Sequence, residues 1–310
     1  MKPGGRILVI GAGVNGSVCA AALDRAGCDV TVLARGKRLE ELRERGIEIE
    51  DPLKGTRTVT QVPLVDRLAP EDIYEYVLVV IRKNQVGELL PVLAQNQSPS
   101  VVFMVNTASG PEEWIAALGA ARVMLGFVFA GGRREGSLIR AMRPRGLGAP
   151  FGEASGAITE RLTRLVSILN RAGLKAKAVA DMPDWLATHA AMVAPLGMLV
   201  LKHGCDTYAL ARSRKDMGMV AEAMRETLAV LRASGRRIVP HGTVLLDVLP
   251  RFVVRSLFRA LLSSRFGEIG MGWHCSQAPD EILQLARELK SLVEQSRFPA
   301  PVLRRLLATV

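Results

Sequence analysis

Short, uninterrupted runs of apolar residues recur along the first half of the chain, and a segment with helical periodicity follows each run. The first two runs lie at residues 6–10 and 29–33, with a helix predicted over residues 17–26 between them. Runs without polar alternation are typical of strands that are buried on both faces, as in parallel sheets. The pattern therefore predicts a strand, a glycine turn, a helix and a second strand.

This alternation continues to about residue 130 and predicts a mainly parallel sheet with helices on both faces. The alternation comprises further strands over 77–81, 101–105 and 123–130, and helices over 38–45, 87–95 and 111–118. One more helix is predicted over 158–172. The glycine- and arginine-rich stretch 131–152 is expected to extend the same sheet with antiparallel strands. From residue 185 onward, helical periodicity dominates. The fold class predicted is α/β: an N-terminal Rossmann-type dinucleotide-binding domain over 1–180, followed by an all-helical C-terminal domain over 181–310.

Composition and charge narrow the classes of ligand. The net charge of +11 favours anionic ligands, such as a dinucleotide or a carboxylate substrate. Nucleic acid is the rival partner, but the sequence has no zinc-finger spacing and no aromatic-basic signature of an RNA-binding sheet. The four cysteines form no close pair and no metal-ligand spacing, so we predict reduced thiols and no metal site. We therefore expect no nucleic-acid partner.

Two segments bear on localisation. The opening Met1–Arg6 leads directly into the first strand and does not resemble a signal peptide. The longest apolar stretch, residues 190–201, is interrupted by Pro195 and is shorter than the roughly 20 residues of a membrane helix. We interpret it as a buried helix and predict a cytoplasmic protein with no membrane partner.

The motif G-x-G-x-x-G stands between the first strand and the first helix, as Gly11-Ala-Gly13-Val14-Asn15-Gly16. In this context it is typical of dinucleotide binding: the first glycine allows a tight turn, the second lets the backbone approach a pyrophosphate, and the third lets the helix pack on the strand. The helix N-terminus adds free N–H groups and a positive dipole end. We predict that these five residues (Gly11, Gly13, Val14, Asn15 and Gly16) bind the phosphates.

The end of the second strand indicates which dinucleotide binds. NAD-binding proteins usually carry Asp or Glu there, bonded to the ribose hydroxyls. This chain instead has Arg35, followed by Lys37 and Arg38. An arginine can bind a 2′-phosphate through two parallel hydrogen bonds, whereas an acid would repel it. We therefore predict NADP(H) as the cofactor, held by Arg35 with Lys37 or Arg38 assisting.

Further segments resemble the ketopantoate reductase family. Its members have a Rossmann domain and an all-helical C-terminal domain, and they reduce a 2-oxo acid with NADPH. Besides the glycine motif and Arg35, the resemblance rests on Arg82 and Lys83 after one strand and on Asn106 after the next. It implies that Arg82 or Lys83 faces the dinucleotide phosphates. Asn106 would contact cofactor or substrate, the alternative being a capping role in a strand-to-helix turn.

The C-terminal domain departs from the family pattern. Trp185 and Pro195 match, but the catalytic lysine of the family, which protonates the developing alkoxide, falls on Leu186 or Ala187. His189 lies one helical turn from Trp185 and is the nearest substitute, because an imidazole can donate a proton to an oxyanion. The alternative for His189 is a hydrogen-bonded core residue.

One further acidic residue matches the family. Glu281 opens a long helix in the register of a functional glutamate, where it would bond a substrate hydroxyl or orient the proton donor. Acids also suit a helix N-terminus for reasons of charge alone. Nearby His274 either joins the site or belongs to the turn. Of these residues, His189, Glu281 and Asn106 are the predicted catalytic set.

The resulting hypothesis is an NADPH-dependent oxidoreductase acting on a CH–OH group. The resemblance implies reduction of 2-dehydropantoate to pantoate, in pantothenate biosynthesis, with a small anionic 2-oxo acid as partner and a homodimer as a possible assembly. Because the proton donor differs, two alternatives stay open. One is an oxidoreductase for a different carbonyl or imine, as in opine formation, and the other is a non-catalytic NADPH sensor.

Overall fold

The computed structural model describes residues 5–144 and 146–310. Most of the predicted opening Met1–Arg6 therefore lies outside the described residues. The chain divides into two compact units, and the first comprises residues up to Val105 together with Pro111–Met182. The second comprises Asn106–Gly110 together with Pro183–Val310. A single boundary after residue 180 does not describe the short segment Asn106–Gly110, which groups with the C-terminal helices.

The main sheet of the first unit has eight strands in the order β12-β11-β8-β7-β6-β1-β2-β5. The strands of this sheet are β1 (Ile7–Ile10), β2 (Val30–Leu33), β5 (Leu64–Val65), β6 (Tyr76–Val79), β7 (Val101–Phe103), β8 (Val123–Gly126), β11 (Ala149–Glu153) and β12 (Ala176–Ala178). All neighbouring pairs are parallel except β8 and β11. Every residue of β1, β2 and β6 is buried, as expected of strands that are covered on both faces.

The first unit contains five helices among its described residues: α1 (Val14–Arg25), α2 (Gly36–Arg45), α3 (Lys83–Gln95), α4 (Glu112–Leu118) and α5 (Glu160–Arg171). In the sheet register, Ile10 pairs with both Leu33 and Val79. The carboxyl ends of β1, β2 and β6 therefore meet at one edge of the sheet, where such folds bind ligands. The predicted fold class is confirmed.

A second sheet, of four strands, was only partly anticipated. Its order is β4-β3-β10-β9, with β3 (Ile47–Glu50), β4 (Arg57–Thr60), β9 (Gly131–Glu135) and β10 (Leu138–Met142). Of the strand-like pieces expected in 131–152 to extend the main sheet, β11 does so, antiparallel to β8, whereas β9 and β10 belong to the second sheet. The reason is the charge on β9 and β10, since Arg140 forms an ion pair of 2.7 Å with Glu50 of β3. Such strands suit a sheet with one solvated face.

The second unit consists of helices. They are α6 (Met182–Lys202, whose first residue belongs to the first unit), α7 (Thr207–Arg212), α8 (Arg214–Ala233), α9 (Leu245–Val248), α10 (Arg251–Leu262), α11 (Arg265–Gly267), α12 (Trp273–Gln277), α13 (Pro279–Ser296) and α14 (Pro301–Leu306). Two 3₁₀ turns, His241–Val244 and Leu307–Thr309, and one π-turn, Glu268–Gly272, complete it. No strand occurs in the described part of this unit, and the prediction of a helical C-terminal region is confirmed.

Helix α6 is longer than the apolar stretch from which it was predicted. It has 21 residues and is, among the described residues, the one helix that is long and apolar enough to cross a membrane. The expectation that this stretch is too short was wrong, because the helix continues through Pro195 and includes eight residues ahead of the apolar stretch. Within the protein, 67% of its most apolar window is buried. Such burial is typical of a core helix.

Candidate functional site

The glycine turn joins β1 to α1 and is closed by contacts that exclude side chains. Gly11 has a φ of +104°, and a Cβ there would lie 2.3 Å from the carbonyl oxygen of Val80. A Cβ on Gly16 would lie 1.8 Å from the carbonyl oxygen of Gly11. Both positions therefore require glycine, for the turn and for the approach of helix to strand.

Gly13 differs from these two glycines because it is exposed and a Cβ there would meet nothing within 4 Å. It is the N-cap of α1, whose first turn contains no acidic residue. The first N–H groups of a helix lack partners within the helix and attract anions. In that first turn, the buried Oδ1 of Asn15 has no hydrogen-bond partner among the described residues. The predicted residues Gly13, Val14, Asn15 and Gly16 thus form an open, acid-free cradle that fits a dinucleotide pyrophosphate.

The three cations after β2 have different environments. Arg35 is exposed at the N-cap of α2, and its guanidinium has no hydrogen bond or ion pair within the described ranges. Lys37 is also exposed. Arg38 points back: its Nε donates to the carbonyl oxygen of Ala12 at 3.0 Å, and its Nη1 donates to that of Ser137 at 3.0 Å. Arg38 therefore binds the backbone of the glycine turn. Burial lowers the pKa of its guanidinium from the ordinary value.

The two cations after β6, Arg82 and Lys83, also have different environments. Arg82 is half-buried at the N-cap of α3, and its backbone N–H donates to Oε1 of Gln85 at 3.2 Å. Lys83 places its Nζ 4.7 Å from the ring centre of Trp114 and 3.4 Å from Oε2 of Glu113, with 10% of its side chain exposed. Both Lys83 contacts tie α3 to α4. The role of Arg82 at a dinucleotide stays a prediction, and so does that of Lys83, whose contacts do not support it.

Two predicted catalytic residues meet in the second unit, although 175 positions separate them in the sequence. Nδ2 of Asn106 donates to Oε1 of Glu281 at 2.8 Å. The other carboxylate oxygen, Oε2, lies 3.7 Å from Nε2 of His274. Glu281 is buried, whereas His274 is partly exposed. Oδ1 of Asn106 is buried and has no partner among the described residues, so this cluster contains an unsatisfied hydrogen-bond acceptor.

His189 lies in a different environment from His274. Its ring stacks on Trp185, with centroids 5.1 Å apart and planes 12° apart. The side chain keeps some solvent contact, but protein crowds it, and burial lowers its pKa to about 4, with the nearby His274 adding to the shift. A histidine with this pKa is uncharged at neutral pH. The predicted role of His189 as proton donor therefore stays a prediction, and its pKa does not support it.

The segment Asn106–Gly110 is held by an acid that sequence reasoning missed. Oε2 of Glu288 accepts from the backbone N–H of Ala108 at 2.7 Å and of Ser109 at 3.0 Å, and from Oγ1 of Thr107 at 3.3 Å. Glu288 lies on α13 seven residues after Glu281, and this spacing places both on one helix face. The spacing could have shown that Glu288 shares a helix face with Glu281, but nothing in the sequence connected Glu288 to the segment near residue 107.

Sequence comparison points to one family. Residues 7–146 match the sequence model of the family described as ketopantoate reductase PanE/ApbA. The 2-dehydropantoate 2-reductase of Archaeoglobus fulgidus is 29% identical over 181 residues, which cover 57% of this chain and 57% of that protein. The chain thus matches little more than half the length of this curated relative. The predicted resemblance to the ketopantoate reductase family is confirmed.

Solved structures with the same fold cover almost the whole chain. The 2-dehydropantoate 2-reductase from Geobacter metallireducens GS-15 superposes with a TM-score of 0.78 at 18% identity, over 98% of both chains. D-mandelate dehydrogenase with NADH and anilino(oxo)acetate also gives 0.78, at 14% identity, over 98% of this chain and 96% of that one. The enzyme from Methylococcus capsulatus gives 0.73 at 21% identity, over 98% and 95%. At such identities the likeness shows the fold.

Removing the Glu288 carboxylate tests its structural role. Glu288→Ala leaves the backbone N–H groups of Ala108 and Ser109 without their acceptor, and a buried donor left unpaired, here that of Ala108, costs about 1–3 kcal/mol. We expect the free energy of unfolding, measured by urea titration, to fall by at least that amount. Glu294→Ala, at an exposed position on the same helix, is the matched control and should change it little. Equal effects of the two substitutions would contradict the assignment.

The low pKa of His189 predicts a pH-dependent stability. Because the folded-state pKa is about 4 and the ordinary value is 6.5, the unfolded chain binds a proton that the folded protein resists. This contribution is present above the unfolded value and is lost as pH falls from 6.5 through about 4. In urea unfolding at stepped pH, His189→Gln should flatten this part of the stability profile. His241→Gln, at an exposed histidine, should keep the profile of the parent, and a parent-like slope in His189→Gln would refute the prediction.

Proposed function

Because residues 7–146 carry the sequence pattern of the ketopantoate reductase family, whose members are oxidoreductases acting on CH–OH groups, we propose that this protein reduces the carbonyl of a small 2-oxo acid with a nicotinamide dinucleotide. The observation that carries the proposal is the shared edge of β1, β2 and β6. The sheet register brings Gly11, Arg35 and Arg82 to this edge, next to the open cradle at Gly13. When bound, the dinucleotide supplies the hydride.

The cluster in the second unit supports the chemistry at the carbonyl. Asn106 and Glu281 offer an amide and a carboxylate that are fixed by their mutual hydrogen bond, and His274 adds a partly exposed imidazole. Such groups can bind the hydroxyl of a hydroxy acid and exchange a proton with its oxygen. A protein that only binds the cofactor would not need these groups, whereas reduction of a carbonyl does.

NADPH is the form of the cofactor that we propose. Arg35 stands at the N-cap of α2 with an unengaged guanidinium, in the place where NAD-binding proteins usually carry an acid. The fold itself does not settle the choice, since the D-mandelate dehydrogenase structure contains NADH. The argument for NADPH therefore rests on the charge at Arg35.

For the substrate, 2-dehydropantoate is the first candidate, by relation to the curated Archaeoglobus fulgidus enzyme. A different 2-oxo acid is the second candidate, and one observation favours it. The two positions that align with the family lysine, Leu186 and Ala187, are apolar and buried. The proton donor therefore differs from that of the family, and a changed site suits a changed substrate.

Turnover is the direct test of the proposed activity. The purified protein should consume NADPH, followed by its absorbance, with at least one member of a panel of 2-oxo acids that includes 2-dehydropantoate and arylglyoxylates. Gly13→Val should abolish cofactor binding while keeping the parent's melting temperature, because the added side chain enters the cradle and its Cβ has no protein atom within 4 Å. Gly218→Val, at another glycine with open space around it, should bind cofactor normally. If the parent binds no dinucleotide, the proposal fails; if it binds one but reduces none of the acids, the chain is a sensor.

Arg35 should decide between the two dinucleotides. Hydrogen bonds to a charged group contribute about 1.5–3 kcal/mol, and 1.4 kcal/mol is tenfold in affinity. Arg35→Ala should therefore raise the dissociation constant of NADPH by roughly 10- to 100-fold and leave that of NADH nearly unchanged, measured by calorimetry. Arg43→Ala, at an exposed arginine on the same helix, should alter neither constant. An equal loss for NADPH and NADH would show that Arg35 does not contact the 2′-phosphate.

A further inference from the structure

The reduction proposed above needs a proton donor, and neither the two positions that align with the family lysine nor His189 is well suited. Leu186 and Ala187 carry no proton that can be transferred, and both are buried. His189 is crowded by protein, stacked on Trp185 and uncharged at neutral pH. A general acid must hold its proton at the working pH and regain it after each turnover.

The surroundings of His274 make it the better candidate for the proton donor. It is the second residue of α12, and 31% of its side chain is exposed, which gives solvent a route to return a proton. Its Nε2 lies 3.7 Å from Oε2 of Glu281 on α13, so a carboxylate faces the ring. His189 on α6 is also near, and its low pKa leaves it uncharged at neutral pH. The surroundings of His274 thus combine a carboxylate beside the ring with a route to solvent.

The two oxygens of Glu281 have separate partners. Oε1 accepts from Nδ2 of Asn106 at 2.8 Å, and this bond leaves Oε2 turned toward His274. With Nε2 facing the carboxylate, Nδ1 is the ring nitrogen available to a substrate, and no hydrogen bond engages it in the part of the chain that the structure describes. A carboxylate that orients an imidazole so that the opposite nitrogen exchanges a proton is a recurrent arrangement in catalysis.

We propose that His274 is the catalytic acid of this protein, that Glu281 is its positioning residue, and that Asn106 fixes Glu281 in the required orientation. The inference rests on the proposed function. In the reduction, the substrate carbonyl carbon gains a hydride from the reduced nicotinamide, and the π electron pair of the C=O bond moves to oxygen. The oxygen then takes the proton from Nδ1 of the His274 imidazolium. The 2-oxo acid is reduced to the 2-hydroxy acid, the nicotinamide is oxidised, and solvent reprotonates His274.

The kinetic test compares two histidines in one cluster. With the best 2-oxo acid found for the parent, His274→Gln should lower kcat by about 100-fold or more and leave the dissociation constant of NADPH unchanged. His189→Gln should keep kcat within a few-fold. The limb of the kcat–pH profile that requires a protonated group should disappear in His274→Gln, and added imidazole should restore part of the activity of His274→Gly. Parent-like kcat in His274→Gln, or a large loss confined to His189→Gln, would overturn the proposal.

A second readout does not depend on turnover. In the protein without cofactor, ¹⁵N NMR of the His274 ring at high pH should show the remaining proton held mainly on Nε2, facing Glu281. Glu281→Gln should shift this toward a mixture of tautomers, whereas Glu294→Gln, at an exposed position on the same helix, should not. An unchanged tautomer in Glu281→Gln would remove Glu281 as the positioning residue. Failure of the parent to reduce any 2-oxo acid would defeat the proposed function, while the NMR result would still report on the His274–Glu281 pair.

Discussion

The approach of Gly16 to the carbonyl oxygen of Gly11 is the contact on which the first unit depends. A single methyl group on Gly16 would lie 1.8 Å from that oxygen. Because no side chain intervenes, α1 begins directly at the end of β1 and directs its first N–H groups past the edge of the sheet. The register of β1 with β2 and β6 then brings the following turns to that edge. The sheet edge, the glycine turn and the first turn of α1 therefore have fixed positions relative to one another.

Arg38 extends this arrangement into the second sheet. Its guanidinium bridges the carbonyl oxygens of Ala12, in the glycine turn, and Ser137, in the turn between β9 and β10. Ser17, on α1, and Glu41, on α2, complete its contacts. A partly buried cation with several acceptors holds backbone elements more firmly than an exposed ion pair does. The four-stranded sheet is therefore connected to the part of the fold that would hold phosphates.

The second unit is organised by two carboxylates on one face of α13. Glu281 is bound by Asn106, and Glu288 binds the backbone of Ala108 and Ser109. Both are buried, and a buried carboxylate is retained only where donors compensate its lost hydration. The segment 106–110 supplies those donors. Its membership of the second unit follows from this exchange of hydrogen bonds, whatever its position in the sequence.

The sequence by itself determined the elements whose cause is local. Unbroken apolar runs predicted β1, β2, β6, β7 and β8 of the main sheet, and the glycine spacing located the turn between β1 and α1. The absence of an acid after β2 is also a local fact, and it singled out Arg35. These inferences succeed because backbone sterics, strand burial and helix dipoles act over a few neighbouring residues.

Only the tertiary structure decided which distant side chains meet. The second sheet pairs β3 with β10, about 90 positions apart, and Arg140 bonds Glu50 across this pair. The division of labour between His189 and His274 depends on burial and on which ring faces Glu281, and Lys83 turns toward Glu113 and Trp114. Desolvation and long-range hydrogen bonding are properties of the packed chain, so no spacing along the sequence encodes them.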